Sequence, residues 1–148
     1  MNDRFFEDFS VGDTFSTGGM TFTESMIVDF AIAYDPQPFH VNVEAAKAGP
    51  FGGLIASGFQ TLALGFRQVL DMGLLRGGSL GSPGMDEIRW TRPVRPGDTI
   101  RVKGEVVETK PSASKQDRGT VRIRYAFVNQ ADETVLTMSC MHILKRRP

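Results

Sequence analysis

Between Ser57 and Met72 the apolar residues recur at helical spacing, and from Met85 to the end of the chain they recur at every second position. Few folds accommodate that switch. Phe59, Leu62, Ala63, Phe66, Val69 and Leu70 form the helical stripe, and the faces between them are only weakly polar, so the segment is expected as one long, largely buried helix. Beyond the glycine-rich loop 77–84, alternation predicts strands near Met85–Trp90, Thr99–Glu108, Gly119–Asn129 and Thr134–Leu144. Pro96-Gly97-Asp98 and the polar residues around Gln116–Gly119 supply the turns between them. Val121, Ile123, Tyr125 and Phe127 share one face of their strand, while Arg122 and Arg124 point the other way. One helix followed by an antiparallel meander in 148 residues implies an α+β domain, residues 1–148, in which the sheet wraps the helix. A chain of this length buries enough surface to fold without disulfides or metal.

The first fifty residues read as smaller pieces. Val11-Gly12-Asp13 turns the chain into a short strand, Thr14–Ser16. Thr23 is placed to cap a helix whose Ile27, Phe30, Ala31 and Tyr34 fall on one face, with Glu24 in the first turn where the helix dipole favours a negative charge. Pro36 must stop that helix, which leaves Asp35 just past its end in an extended conformation. A second short helical piece is expected over Val43–Ala48, ended by Gly49-Pro50.

Seventeen basic and seventeen acidic side chains cancel, which argues against a nucleic-acid binder relying on excess positive charge. The halves differ: up to Gly84 there are four Lys/Arg against nine Asp/Glu, and from Met85 onward thirteen against eight. The second half can therefore offer cations to an anionic ligand, although for any single Arg a solvent-facing strand position is the simpler account. Cys140 is the only cysteine, so no intrachain disulfide forms. The charged N-terminus lacks the apolar core of a signal peptide and no run is long enough to cross a bilayer, so a cytoplasmic protein is expected. One cysteine and two histidines give no zinc-ligand spacing, and no metal is expected. Ser57 lies in no Gly-x-Ser-x-Gly elbow, and the glycines at 77–84 lack the Lys-Ser or Lys-Thr of a phosphate cradle. His142 alternates with Leu136, Met138, Cys140 and Leu144 and reads as a packed structural histidine.

The chemistry concentrates in Asp35-Pro36-Gln37-Pro38-Phe39-His40, which sets a carboxylate and an imidazole five residues apart on a proline-stiffened loop. Their ordinary pKa values of about 3.9 and 6.5 suit one group to take a proton from water and the other to supply one. A helix C-terminus disfavours a carboxylate, so the pKa of Asp35 is expected to rise. Spacing alone makes a local hydrogen-bonded turn the commoner outcome. Gly52-Gly53-Leu54-Ile55-Ala56-Ser57-Gly58 adds the missing part, since unpaired N–H groups at a helix start can polarise a carbonyl oxygen, with Gly58 the natural donor.

Asp-x-x-Pro-x-His, then Ile-x-x-Gly opening an apolar helix, then Arg92-Pro93-Val94-Arg95-Pro96-Gly97-Asp98 before a strand, together resemble the MaoC-like dehydratases, the (R)-specific enoyl-CoA hydratases of hot-dog fold. The resemblance spans nearly the whole chain. It implies a helix wrapped by an antiparallel sheet, a homodimer or dimer of dimers with sheets paired edge to edge, and an acyl-CoA thioester as substrate, with no cofactor beyond the coenzyme A that the substrate carries. It makes Asp35 and His40 the catalytic pair and Gly58 the donor to the thioester oxygen. Gln37 stands where the family usually has Asn, and Ser57 replaces a histidine that often precedes the glycine. Phe66 replaces a serine, which would narrow or redirect the acyl pocket. Ser57, Phe66, Arg92 and Arg95 are accordingly expected to meet substrate, the arginines through coenzyme A phosphates, although a turn at the sheet edge accounts for Arg92 and Arg95 equally well. The expected reaction is interconversion of a trans-2-enoyl-CoA and an (R)-3-hydroxyacyl-CoA. A thioesterase of the same fold, or an acyl-CoA-binding subunit without catalysis, are the alternatives.

Overall fold

A computed structural model describes residues 3–148. A short 3-10 turn, Phe6–Asp8, precedes strands β1 (Thr14–Ser16) and β2 (Met20–Thr21). Helices α1 (Glu24–Tyr34), α2 (Pro38–Val41), α3 (Val43–Ala48) and α4 (Gly58–Asp71) follow, then strands β3 (Met85–Trp90), β4 (Thr99–Pro111), β5 (Arg118–Val128) and β6 (Thr134–Lys145). The strands form one antiparallel sheet in the order β1-β4-β5-β6-β3, with β2 also paired to β4. The expected meander is therefore present, with β3 crossing from before β4 to the far edge beside β6.

Strict alternation in β5 and β6 buries Val121, Ile123, Tyr125 and Phe127 together with Leu136, Met138, Cys140 and Leu144, as their period of two requires. His142 is buried in the same row, where its Nε2 lies 2.8 Å from the Tyr125 hydroxyl. Thr23 caps α1 by accepting from the Met26 N–H at 3.2 Å. Of the four residues expected on the inner face of α1, Ile27 and Ala31 are buried, while Phe30 is half-exposed and Tyr34 is 74% exposed.

Helix α4 meets the expectation only in part: Val69 of the expected stripe is fully buried and Leu62 and Phe66 pack against the core, but the rest faces outward. Its sheet-facing side carries Gln60, Thr61, Gly65, Gln68 and Val69, whereas Phe59, Ala63 and Leu70 face outward and Leu62 and Phe66 are half-buried. Two local devices allow it. Gly65 lets the helix backbone approach Phe127 so closely that an added Cβ would lie 2.2 Å from the ring. The inward amides find backbone acceptors: Gln60 Nε2 donates to Met26 O at 2.9 Å and Gln68 Nε2 to Ile100 O at 3.1 Å. An apolar stripe is thereby left on the outside, beside the free edge of β3.

Candidate active site

Pro36 ends α1 as expected, and Asp35 caps it with φ −155° and ψ 68°. The next residues do not stay a loop: Pro38 sits at the first position of the helical turn α2, where its missing N–H costs nothing, and that turn swings His40 back toward Asp35. Asp35 Oδ2 lies 3.2 Å from His40 Nε2. The other imidazole nitrogen, Nδ1, is 2.7 Å from the carbonyl oxygen of Ile55. A carbonyl only accepts, so Nδ1 carries a proton and Nε2 is the nitrogen turned to the carboxylate.

Both oxygens of Asp35 are engaged. Gln37 Nε2 donates to Oδ1 at 2.8 Å and the Ser57 hydroxyl donates to Oδ2 at 2.7 Å. Burial works to raise the pKa of this carboxyl, but the hydrogen bonds from Gln37 and Ser57 and the neighbouring His40 outweigh it, and Asp35 is held below its ordinary value. The expected rise from the helix end is therefore overturned: donors within hydrogen-bond reach of the carboxylate act more strongly than the helix dipole. Asp35 is thus a carboxylate at neutral pH, able to accept a proton.

Ser57 also caps α4, accepting from the Phe59 N–H at 3.3 Å. Gly58 is the first helical residue, where no acceptor lies one turn earlier, and none of the hydrogen bonds among the described residues uses its N–H. Trp90, on the edge strand β3, donates from Nε1 to Gly58 O at 2.9 Å, and a Cβ at Gly58 would lie 2.5 Å from the indole. Packing against the indole therefore favours glycine at this position. Asp35, His40, Gly58 and Trp90 line one cavity of about 480 Å³, together with Gln37, Phe59, Thr61 and Arg92. Its size and mixed lining are those of a small-molecule site.

The remaining expected residues divide. Ser57 is buried beneath the cavity and acts on Asp35. Arg92 lines the cavity, where its Nε pairs with Glu133 at 2.7 Å. Arg95 lies outside the lining: its guanidinium donates to Phe51 O at 2.6 Å and its N–H to Asp98 at 2.8 Å, so it braces the turn. Phe66 also lies outside, in a neighbouring groove. Trp90 and Thr61 were not anticipated, and their sequence signal is slight, a lone tryptophan ending a strand and a threonine inside a helix. Gln37 was visible only as a substitution for Asn. Among the described residues, no group of three His, Cys, Asp or Glu is placed to hold a metal ion, and no helix is long and apolar enough to cross a membrane.

Comparison with known proteins identifies the fold and the family. The crystal structure of a MaoC-like dehydratase from Rhodospirillum rubrum superposes with a TM-score of 0.91 at 37% identity, covering 98% of this chain and 99% of that one. The unliganded R-hydratase PhaJ1 from Pseudomonas aeruginosa superposes with a TM-score of 0.78 at 26% identity, covering 97% and 86%. The 3-hydroxyacyl-thioester dehydratase Z of Mycobacterium tuberculosis is 36% identical over 104 residues, 69% of each chain. A helix held against a curved antiparallel sheet in this order is the hot-dog fold. Residues 8–127, which carry the Asp35–His40 pair, the Gly58 helix start and most of the sheet, match the MaoC like domain, and the chain belongs to that hydratase and dehydratase family.

Proposed function

We propose that the protein interconverts a trans-2-enoyl thioester of coenzyme A and the (R)-3-hydroxyacyl thioester, with Asp35 and His40 as the acid/base pair and Gly58 as the carbonyl donor. The observation that carries the reading is the 3.2 Å approach of Asp35 Oδ2 to His40 Nε2 in the cavity that Gly58 also lines. In the hydration direction the thioester oxygen accepts the Gly58 N–H. The pair holds one water at the β-carbon; a water O–H bond breaks toward the pair as the new C–O bond forms, and the π electrons move onto the thioester oxygen. Collapse of that enolate takes a proton from the pair at the α-carbon. Atoms balance without any cofactor, because coenzyme A is part of the substrate. The tie from Nδ1 to Ile55 O keeps Nε2 aimed at the reacting atoms. Arg92, at the cavity wall with its Nε paired to Glu133, is the cation proposed to meet the anionic carrier. The free edge of β3 supports a homodimer formed by pairing that strand with a second copy.

The test follows loss of the conjugated enoyl thioester absorbance with purified protein, alongside a thiol reagent. Hydration consumes the chromophore and releases no thiol. Thiol release at the same rate would assign a thioesterase instead, and turnover undiminished in Asp35→Asn and His40→Gln would remove the pair from the reaction.

A further inference from the structure

Four neutral side chains with a hydrogen-bond donor line the catalytic cavity besides His40: Gln37, Thr61, Trp90 and Thr91. Three of them are committed. Gln37 Nε2 donates to Asp35 at 2.8 Å, Trp90 Nε1 to Gly58 O at 2.9 Å and the Thr91 hydroxyl to Thr134 O at 2.8 Å. Thr61 differs. It is buried, and among the described residues its hydroxyl makes one hydrogen bond, a long one of 3.4 Å to Ser57 O. That carbonyl already accepts the main-chain N–H of Thr61 at 3.1 Å, so the hydroxyl duplicates a bond the helix makes without it. A buried hydroxyl held so loosely has its donor to spare.

Its place on α4 says where the donor can go. Thr61 stands three residues after Gly58, a neighbour on the helix surface, and helical side chains lean toward the N-terminus, so the hydroxyl lies over the turn that begins with the Gly58 N–H. A carbonyl oxygen has two lone pairs, and Gly58 supplies one donor. Resting on the function proposed above, we infer that the Thr61 hydroxyl is a second donor to the thioester oxygen and, with the Gly58 N–H, completes a two-point oxyanion site at the start of α4. The hydroxyl turns from Ser57 O to the arriving oxygen, and Ser57 O keeps its main-chain partner. The new bond strengthens as negative charge gathers on that oxygen, so it acts on the rate more than on the affinity.

The experiment compares wild type, Thr61→Val and Thr61→Ser in two measurements, with thermal unfolding of each protein. Steady-state hydration of crotonyl-CoA is expected to show kcat lowered at least ~tenfold in Thr61→Val with a smaller change in KM, and most of that loss restored in Thr61→Ser. The infrared carbonyl stretch of bound butyryl-CoA, isotope-labelled at the carbonyl carbon and unable to react, is expected at higher wavenumber on Thr61→Val than on wild type or Thr61→Ser. A carbonyl stretch unmoved by Thr61→Val overturns the inference whatever the rate does. A serine variant as slow as the valine variant overturns it too, because the loss then follows the methyl group and its packing. Should Thr61→Val fail to fold, the same two measurements on Thr61→Ala decide in its place. Absence of wild-type turnover strikes the proposed reaction instead, while the carbonyl stretch still tests the donor, so the two failures are distinct.

Discussion

Ser57 and Asp35 are joined by a hydroxyl-to-carboxylate hydrogen bond of 2.7 Å across a sequence separation of 22 residues. The bond links the start of α4 to the end of α1, so the two parts of the cavity to which the proposed reaction assigns carbonyl binding and proton transfer are positioned together. Ser57→Ala is expected to lower kcat by roughly tenfold to a hundredfold with a smaller change in KM, since a loosened carboxylate loses its aim. Parallel steady-state measurements on both variants of the pair, Ser57→Ala and Ser57→Thr, check this: threonine keeps the hydroxyl and should retain most of the rate.

Gln37 holds the other carboxylate oxygen at 2.8 Å, and its hydrogen bond is among the causes that keep the pKa of Asp35 low. Removing a donor to the charged form favours the protonated one, so Gln37→Leu raises the pKa. The acid limb of kcat/KM should move to higher pH in that variant relative to the wild type. A limb that stays in place would remove Gln37 from control of the carboxylate.

Direct removal of the pair has the largest effect. Asp35→Asn and His40→Gln are each expected to lower kcat by about 10²–10⁴, the usual contribution of a positioned acid or base. Thermal unfolding of the same variants, measured alongside, shows whether the loss lies in chemistry rather than in folding.

Trp90 stands against the first turn of α4, so Gly58→Ala is expected to cost activity through the indole. The double variant Gly58→Ala/Trp90→Ala should be less impaired than the two single losses together, because removing the ring removes the clash. A double-mutant cycle on kcat/KM decides; strict additivity would place the two residues in separate roles.

Burial pushes the pKa of His142 down to about 4, well under its ordinary 6.5. For a base whose folded value lies below its unfolded one, the unfolded chain takes up the proton first, so stability is full above pH 6.5 and falls as pH drops toward 4. His142→Gln, which keeps a hydrogen-bonding partner for Tyr125, should remove about 2 kcal/mol of the stability difference that urea unfolding records between pH 7 and pH 5.

The sheet was legible because alternation states its own geometry: Val121, Ile123, Tyr125 and Phe127 could only be buried on one side. The pair Asp35 and His40 was legible because five residues and two prolines bring them together locally. Helix α4 was legible as a helix but only partly in its orientation, because periodicity gives the position of a stripe and not the direction it faces. The polar side goes inward only because Gln60 and Gln68 reach carbonyls on distant elements, and Gly65 opens the approach to Phe127. The low pKa of Asp35 escaped for the same kind of reason. Gln37 is two residues away, but the Ser57 hydroxyl arrives from across the fold.

The helical turn Pro38–Val41 gives the proton-transfer unit a property that belongs to inheritance rather than to catalysis. Carboxylate, imidazole and the prolines that orient them occupy six consecutive residues, tied to the rest by Ser57 and the Ile55 carbonyl. Substitutions elsewhere around the cavity can therefore reshape its walls without disturbing the spacing of carboxylate and imidazole, and a lineage carrying this segment can vary the cavity one side chain at a time.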